Sequence, residues 1–219
     1  TIVIKKVISD YDTFSDVVKV YKDDTDKCKA LIQSGLIKKL VFEEGTTCIP
    51  GHIFDMLNVY NTELDSITIP ETLTELKPYA FYYLNVNKLV CNSNKLTILP
   101  DWCFAWSNIR DMDLTILDGK IKEIGSYCFG YMNNSIYDSN NIILPKFNNV
   151  EKMSRYSFYK SYLGNTELDF SDNLNLTDID KLQSDYSGEN AFIRDCSIAK
   201  LKFKNCSNLT RLGIIAYSY

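Results

Sequence analysis

An aromatic residue recurs along most of the chain, immediately after a small residue and five positions after an aliphatic residue. The pattern is clearest in LKPYAF (76–81), LPDWCF (99–104) and IGSYCF (124–129). These aromatic residues, called anchors below, are Phe54, Phe81, Phe104, Phe129, Phe158, Phe192 and Tyr217. They are 23 to 34 residues apart, a unit too short to fold alone, so each unit must bury its apolar edge on its neighbours. The sequence predicts a repeat solenoid of about seven repeats around one continuous core.

Upstream of each anchor, two apolar residues occupy alternate positions of a short strand-like segment. The pairs are Leu40/Phe42, Ile67/Ile69, Leu89/Cys91, Met112/Leu114, Ile142/Leu144, Leu168/Phe170 and Leu201/Phe203. Because alternate residues of a strand point to one face, we expect these segments to stack into a parallel sheet. The anchors are expected on the opposite side of the core. One repeat is longer, since Ile179 precedes Phe192 by 13 residues, and its extra polar residues indicate a surface-loop insertion.

Several segments resemble a known repeat family. LVCNSNKLTILPDWCF (89–104), LDFSDNLNLTDI (168–179) and LKFKNCSNLTRLG (201–213) are similar to leucine-rich repeats. LDSITIPETLTELKPYAF (64–81) and AFIRDCSIAKLKF (191–203) resemble the BspA-like, Treponema-type subclass more narrowly. The resemblance covers about residues 36–219. It implies a mainly β solenoid, with a parallel sheet on one face and short turns or 3-10 segments on the other.

Residues 1–36 do not follow the repeat. TIVIKKVI (1–8) alternates like a strand, and DDTDKCKALIQSG (23–35) predicts a short helix with Asp24 or Thr25 as N-cap and Gly35 at its end. We interpret this segment as an N-terminal cap, with a remnant of a separate domain as the alternative. Residues 37–219 form the predicted solenoid. Its last apolar residues lack a polar cap, so we expect further repeats or a docked partner after Tyr219.

Residues able to support catalysis or metal binding are scarce. The seven cysteines include no CxxC pair, and His52 is the single histidine, which argues against zinc and against an activated cysteine. The GxSxG and GxxxxGK[ST] motifs are missing. We therefore expect no enzyme activity, no metal and no cofactor. The thiols are expected to be reduced and structural, with Cys103–Cys128 or Cys196–Cys206 disulfides between stacked coils as the alternative.

The charge balance limits the classes of partner. Twenty-four Lys and Arg against 28 Asp and Glu give a net charge of −4, with no basic block that could neutralise a phosphate backbone. We therefore expect no nucleic-acid partner. No apolar run approaches the roughly 20 residues of a membrane span, so membrane insertion is not expected either.

The position two residues before the anchor is aromatic in five successive repeats. It is occupied by His52, Tyr79, Trp102, Tyr127 and Tyr156, with Tyr82, Tyr83, Trp106, Tyr131, Tyr159 and Tyr162 nearby. Equivalent positions of adjacent coils are expected to lie roughly 4.8 Å apart, so the rings should form a ladder. Two interpretations remain open. The rings stabilise one another by stacking, or they form a Tyr- and Trp-rich contact surface for a protein or a glycan.

These observations predict a non-enzymatic recognition module. The family resemblance implies surface or secreted adhesins that bind host proteins or other microbes, so we expect cell adhesion or host interaction in an extracellular or cell-surface location. One alternative is a structural or receptor-binding component of a larger assembly, such as a phage tail in a virion. An intracellular, cytoplasmic scaffold is the other. The expected partner is a host surface protein or an assembly neighbour, with a glycan as the further alternative.

Overall fold

The fold is mainly β, with parallel strands and very little helix, as the repeat pattern predicts. The computed structural model describes residues 2–4, 30, 32–36, 38–56, 59–133, 140–177, 192–210 and 214–215. Its strands are β1 Ile2–Ile4, β2 Lys39–Phe42, β3 Cys48–Ile49, β4 Leu64–Ile69, β5 Glu75–Leu76, β6 Asn85–Cys91, β7 Ile98–Leu99, β8 Asn108–Asp113, β9 Glu123–Ile124, β10 Asn141–Ile143, β11 Lys152–Met153, β12 Glu167–Asp169, β13 Ile193–Arg194, β14 Lys200–Lys202 and β15 Ile214–Ile215. The helix α1 Ile53–Met56 and the 3-10 helices Val59–Asn61 and Thr115–Leu117 connect some of them.

One face of the solenoid is a parallel sheet of six strands in the order β1-β2-β4-β6-β8-β10. The register aligns equivalent positions of successive repeats, for example Ile67 with Leu89 and Leu89 with Met112. These residues are buried, while the alternate positions face outward. Strands β12 and β14 form a parallel pair of the same kind. The predicted parallel sheet is therefore confirmed.

Shorter strands form a second column behind the main sheet. Strand β3 pairs with β5, and β7, β9 and β11 form a three-stranded parallel sheet. Each contributes the aliphatic residue five positions before the anchor, and those residues are buried. The column comprises Ile49, Leu76, Leu99, Ile124 and Met153.

The anchors stack through the core. Phe54, Phe81, Phe104, Phe129 and Phe158 have successive ring-centroid distances of 5.0 to 5.6 Å and interplanar angles of at most 15°. Their rings are 0 to 1% exposed. The residue before each of the last four is buried as well, because this backbone lies against the next coil. For example, Phe104 N–H donates to the carbonyl of Cys128 at 2.7 Å.

Cysteines occupy some of these tight positions. Cys103 and Cys128, in adjacent coils, are fully buried free thiols. Burial and then the neighbouring Cys103 thiol raise the pKa of Cys128 well above its usual value. Cys196 and Cys206 are free thiols too, hydrogen-bonded to different partners: Cys196 Sγ lies 3.0 Å from Ser161 Oγ, and Cys206 Sγ donates to the Phe170 carbonyl at 3.0 Å.

The N-terminal segment is described only in part. Strand β1 pairs in parallel with β2, so it extends the main sheet by one strand. Ala30, Ile32 and Gln33 are helical, and Gly35 follows them with φ of 73°, a conformation that glycine adopts without strain. The remainder of the predicted cap helix, including its proposed N-cap, lies outside the described residues.

The backbone register differs from the predicted one at Phe192. Phe158 N–H donates to the carbonyl of Phe192. In the earlier coils the corresponding acceptors are the carbonyls of Cys103, Cys128 and Ser157, each the residue immediately before an anchor. Phe192 is buried but contacts Phe158 edge-on, and Ile193 takes the anchor position beside it. Ile193 then pairs in parallel with Ile214. Spacing alone could not fix this register, because the inserted residues precede Phe192. Tyr217 itself lies outside the described residues.

Candidate functional site: two aromatic ladders

The five rings singled out by the sequence stack in series along the solenoid. Their successive centroid distances are 4.5, 5.9, 4.3 and 4.9 Å, with interplanar angles from 8° to 29°. We call His52, Tyr79, Trp102, Tyr127 and Tyr156 the first aromatic ladder. Each ring is half-buried. The ring faces cover one another, so it is mainly the ring edges that reach solvent.

Every residue of the first ladder has a left-handed backbone, with φ between 53° and 66°. This conformation is unfavourable for a bulky residue and costs roughly 1–2 kcal/mol relative to the right-handed region. Hydrogen bonds between coils hold it in place: His52 N–H donates to the Tyr79 carbonyl at 3.1 Å, and Trp102 N–H donates to the Ser126 carbonyl at 2.9 Å. Aromatic side chains therefore occupy positions where glycine or asparagine would be less strained.

A second series of rings follows two residues after the anchors. Tyr83, Trp106 and Tyr131, the second aromatic ladder, have centroid distances of 6.2 and 4.1 Å and φ of 56° to 57°. Trp106 is 37% exposed, the largest exposure of an aromatic side chain among the described residues. Sequence reasoning placed these rings near the first ladder but missed their own alignment. The signal was present, since the same repeat position is aromatic in three successive repeats.

Two further tyrosines connect the ladders. The Tyr82 ring lies 5.3 Å from Tyr79 and 4.4 Å from Tyr83, and the Tyr159 ring lies 5.9 Å from Tyr127 and 5.2 Å from Tyr131, centroid to centroid. We call Tyr82 and Tyr159 the spanning rings. In the two coils between them, the equivalent residues are Ala105 and Gly130, both buried. An ideal Cβ on Gly130 would lie 3.0 Å from Cδ1 of Tyr127, so little room remains beneath that ring.

The electrostatics of the ladders keep the phenols neutral. Burial, followed by the hydrogen bond and charge of Tyr83, raises the pKa of Tyr82 well above 10. Burial is also the largest cause of the raised pKa values of Tyr127 and Tyr131. These phenols therefore remain hydrogen-bond donors at neutral pH. Charge differs between the two ends, because His52 Nδ1 lies 3.0 Å from Asp55 Oδ2, whereas Lys160 Nζ and Arg194 Cζ lie 5.3 and 5.9 Å from the Tyr159 ring centroid.

The other predicted or conspicuous residues do not converge on a reactive site. The six anchors within the described residues are buried in the core, and Tyr162 forms a parallel bridge with Ser197. Asp111 pairs with Lys88 at 2.8 Å on the outer face of the sheet. Within the described ranges, no group of three His, Cys, Asp or Glu side chains is arranged to hold a metal ion.

A concave surface lies on the outer face of the sheet. Its polar lining comprises Lys146, Lys200, Lys202, Lys204, Asp169, Ser171 and Asp172. Ion pairs neutralise part of its charge, since Lys146 Nζ lies 3.0 Å from Asp172 and Lys202 pairs with Glu167. Compared with the ladders, this surface is rich in lysines, and its lining residue Asp172 also has a left-handed backbone, with φ of 64°.

Comparison with known proteins identifies the repeats. A family model described as BspA type leucine-rich repeat region matches residues 58–181 in six copies. The match spans more than half of the chain and includes most of both aromatic ladders. No curated protein matches the chain. No helix in the described part of the chain has the length and apolarity of a membrane span. Repeats of this class are typically non-enzymatic and generally bind proteins, which suggests a recognition module.

Proposed function

Because the chain belongs to the BspA-type leucine-rich repeat family, we propose that it is a protein-recognition module whose contact surface is formed by the two aromatic ladders. Tyr and Trp are enriched among the residues that dominate protein interfaces, since each offers a large rigid surface with a polar edge. Proteins with these repeats are typically surface proteins. We therefore propose adhesion or host interaction at the cell surface as the setting.

The observation that carries this proposal is the left-handed backbone beneath the rings. Eight residues of the two ladders have φ between 53° and 66°. Strain of this kind persists only where the surrounding structure enforces it, and it concentrates at functional sites. The anchor rings stack at similar distances without positive φ, so stacking by itself does not require a left-handed backbone. Half-exposed aromatic residues on a strained backbone favour a contact role.

The stacking geometry favours a protein over a glycan. Sugars bind aromatic residues by lying on ring faces. A sugar inserted between two aromatic rings would need the rings to be about 7 Å apart, which is twice a carbon–carbon contact distance of about 3.5 Å. The rings of the first ladder are 4.3 to 5.9 Å apart, so those faces are occupied. What remains is a row of edges with phenol O–H and indole N–H groups, suited to polar and apolar contacts with a polypeptide.

Paired protein and glycan arrays would test the proposal. Wild-type chain is compared with a Trp102→Asn, Trp106→Asn double variant, because asparagine tolerates the left-handed backbone better than alanine. Interface hot spots contribute about 2 kcal/mol or more, so apparent affinity for the bound proteins should fall at least about 10-fold. Leu174→Asn, at a 55% exposed apolar residue outside the ladders, is the matched control and should bind as wild type does. Binding confined to glycans, or equal binding by the double variant, would contradict the proposal.

A further inference from the structure

Strand β14 has a paired strand on one side only. Among the described residues it pairs with β12, and it pairs with no strand on its other side. Leu201 and Phe203 of this coil are only partly buried, whereas Leu168 and Phe170, their equivalents one coil earlier, are fully buried. The Phe203 ring stacks on Phe170 at 5.1 Å. The free side of β14 therefore presents strand backbone and apolar surface together.

Opposite charges connect neighbouring coils on the outer face of the sheets. Among the described residues, every pair of charged residues that the strand register aligns has opposite charges. Lys88 of β6 pairs with Asp111 of β8 at 2.8 Å, and Lys202 of β14 pairs with Glu167 of β12. One outward side chain can bind on both sides, since Asp111 also accepts from Asn141 at 2.9 Å. The charge of an outward residue therefore indicates which charge suits the next strand.

Strands β12 and β14 show this complementarity in consecutive outward positions. Their sequences are ELDF (167–170) and KLKF (200–203), and the register aligns both acidic residues of β12 with the two lysines of β14. The apolar residues between them point into the core. A strand on the free side of β14 has the same lysines and the same apolar column beside it. The sequence pattern that fits there is therefore the pattern of β12, with acidic and apolar residues alternating.

Lysines beside the free side are available for a partner. Lys200 and Lys204 are exposed and form no ion pair within the described part of the chain. Both belong to the concave surface on the outer face of the sheet, together with Lys202 and Phe203, so open space adjoins β14. Four lysines and two aspartates line this surface, in a chain whose net charge is −4. The local excess of positive charge favours an acidic partner.

Other occupants fit this edge less well. In a head-to-tail contact, a second copy of the chain would offer β1, at the opposite end of the six-stranded sheet. The residues of β1, IVI (2–4), include no acid that could face the lysines. An α-helix satisfies its own backbone groups, so it cannot pair with a strand edge. An added strand supplies backbone pairing, apolar side chains and charge at once.

We propose that the free side of β14 binds a strand of a partner protein in which acidic and apolar residues alternate, as they do in ELDF. The site goes beyond the proposed function, because β14 lies outside both aromatic ladders. Backbone hydrogen bonds and burial of the apolar side chains against Leu201 and Phe203 provide the affinity. The acidic residues beside Lys200, Lys202 and Lys204 select the partner and fix its register.

Fluorescence anisotropy with a labelled peptide tests this binding. The peptide is TELDFSD, the sequence of residues 166–172, and it is titrated with the chain of residues 1–219. We expect a saturable rise in anisotropy at chain concentrations up to about 0.5 mM. TQLNFSN, in which amides replace the carboxylates, should bind at least about 5-fold more weakly. TESDSSD, which lacks the apolar residues, should show no saturable binding.

Charge-reversed variants of the chain make the test specific. Lys200→Glu, Lys204→Glu should weaken binding of TELDFSD at least about 5-fold and strengthen binding of the charge-reversed peptide TKLKFSK. The neutral variant Lys200→Gln, Lys204→Gln should weaken TELDFSD binding about 3-fold and serves if the reversed variant does not fold. The matched control is Lys95→Glu, Lys120→Glu, two exposed lysines in the coils of β6 and β8, which should bind as wild type does. Far-UV circular dichroism checks that each variant folds.

Backbone pairing has a separate test. Successive N–H groups of a strand point to opposite sides, so only alternate ones reach β14. Methylating the amide nitrogen of the leucine or that of the following aspartate in TELDFSD should abolish binding in one case and leave it in the other. Equal binding of both methylated peptides would contradict strand addition.

The remaining outcomes are equally decisive. Missing saturation with TELDFSD, equal binding of TQLNFSN, or unaltered binding by both lysine variants would overturn the acidic partner strand. Binding by residues 1–219 but not by a longer natural chain that contains them would also overturn it, because a later part of that chain would then occupy the edge. The Trp102→Asn, Trp106→Asn variant should bind TELDFSD as wild type does. Failure of either proposal therefore leaves the other standing.

Discussion

At the scale of single residues, Phe104 shows what holds the coils together. Its ring is 1% exposed and stacks between Phe81 and Phe129 at 5.1 and 5.2 Å. Its N–H donates to the Cys128 carbonyl of the next coil at 2.7 Å, so both the side chain and the backbone of this residue bind it to a neighbouring coil. Removing the ring would leave a cavity bordered by three coils. Each coil of a solenoid packs only on its neighbours, so no other side chains are placed to fill that cavity.

Phe104→Ala is therefore expected to lower the free energy of unfolding by about 3–5 kcal/mol, the usual range for a fully buried phenylalanine. Denaturant titration with a far-UV circular dichroism readout measures this change. Ile98→Ala is the control, because Ile98 is 47% exposed, and its cost should stay below about 1 kcal/mol. A loss below about 1 kcal/mol for Phe104→Ala would contradict the anchor column.

At the scale of elements, each repeat from β4 to β11 contributes a strand, a short second strand and a turn with aromatic residues on a left-handed backbone. Tyr79, Tyr82 and Tyr83 belong to one such turn, and their rings contact one another. Burial raises the pKa of Tyr82 above its ordinary value of 10.0 and also raises the pKa values of Tyr127 and Tyr131. The turns should therefore make the fold sensitive to alkaline pH.

The direction follows from proton binding. Above pH 10 the phenols of the unfolded chain ionise, whereas those with raised pKa values keep their protons in the folded chain. The unfolded state then releases more protons, so stability decreases as pH rises above about 10. Phenolate absorbance recorded alongside circular dichroism should show these tyrosines ionising together with unfolding, and Tyr82→Phe should make the loss of stability less steep. Complete ionisation near pH 10 in a folded chain would contradict this expectation.

At the scale of the whole molecule, each coil contacts mainly the coils before and after it. Strands β6 and β8 are each paired on both sides within the six-stranded sheet. Strand β14, among the described residues, pairs with β12 in a two-stranded sheet. In such a linear architecture, stability is approximately a sum of repeat and neighbour interactions. Strands that are paired on both sides should therefore open less often than strands that are paired on one side.

Hydrogen exchange measured by mass spectrometry tests this gradient. Backbone amides of β6 and β8 are expected to exchange most slowly, and those of β14 faster, since local opening needs fewer neighbouring contacts to break. The exchange of β10, at the edge of the six-stranded sheet, should lie between them. Equal protection of all these strands would contradict a fold with nearest-neighbour coupling and would indicate one global unfolding unit.

The sequence alone determined the repeat architecture, because columns such as Ile67, Leu89 and Met112 are defined by spacing and by the need to bury apolar residues in register. It also indicated the first ladder, since the same position is aromatic in five repeats. The position of Ile193 in the anchor column depended on tertiary structure, because an insertion separates it from the regular pattern. The left-handed backbone at Trp102 and Trp106 depended on it too. That conformation is imposed by hydrogen bonds from the adjacent coil, which the local sequence does not contain. The alignment of the rings in the two ladders depends on it for the same reason, since stacked coils bring together residues far apart in the chain.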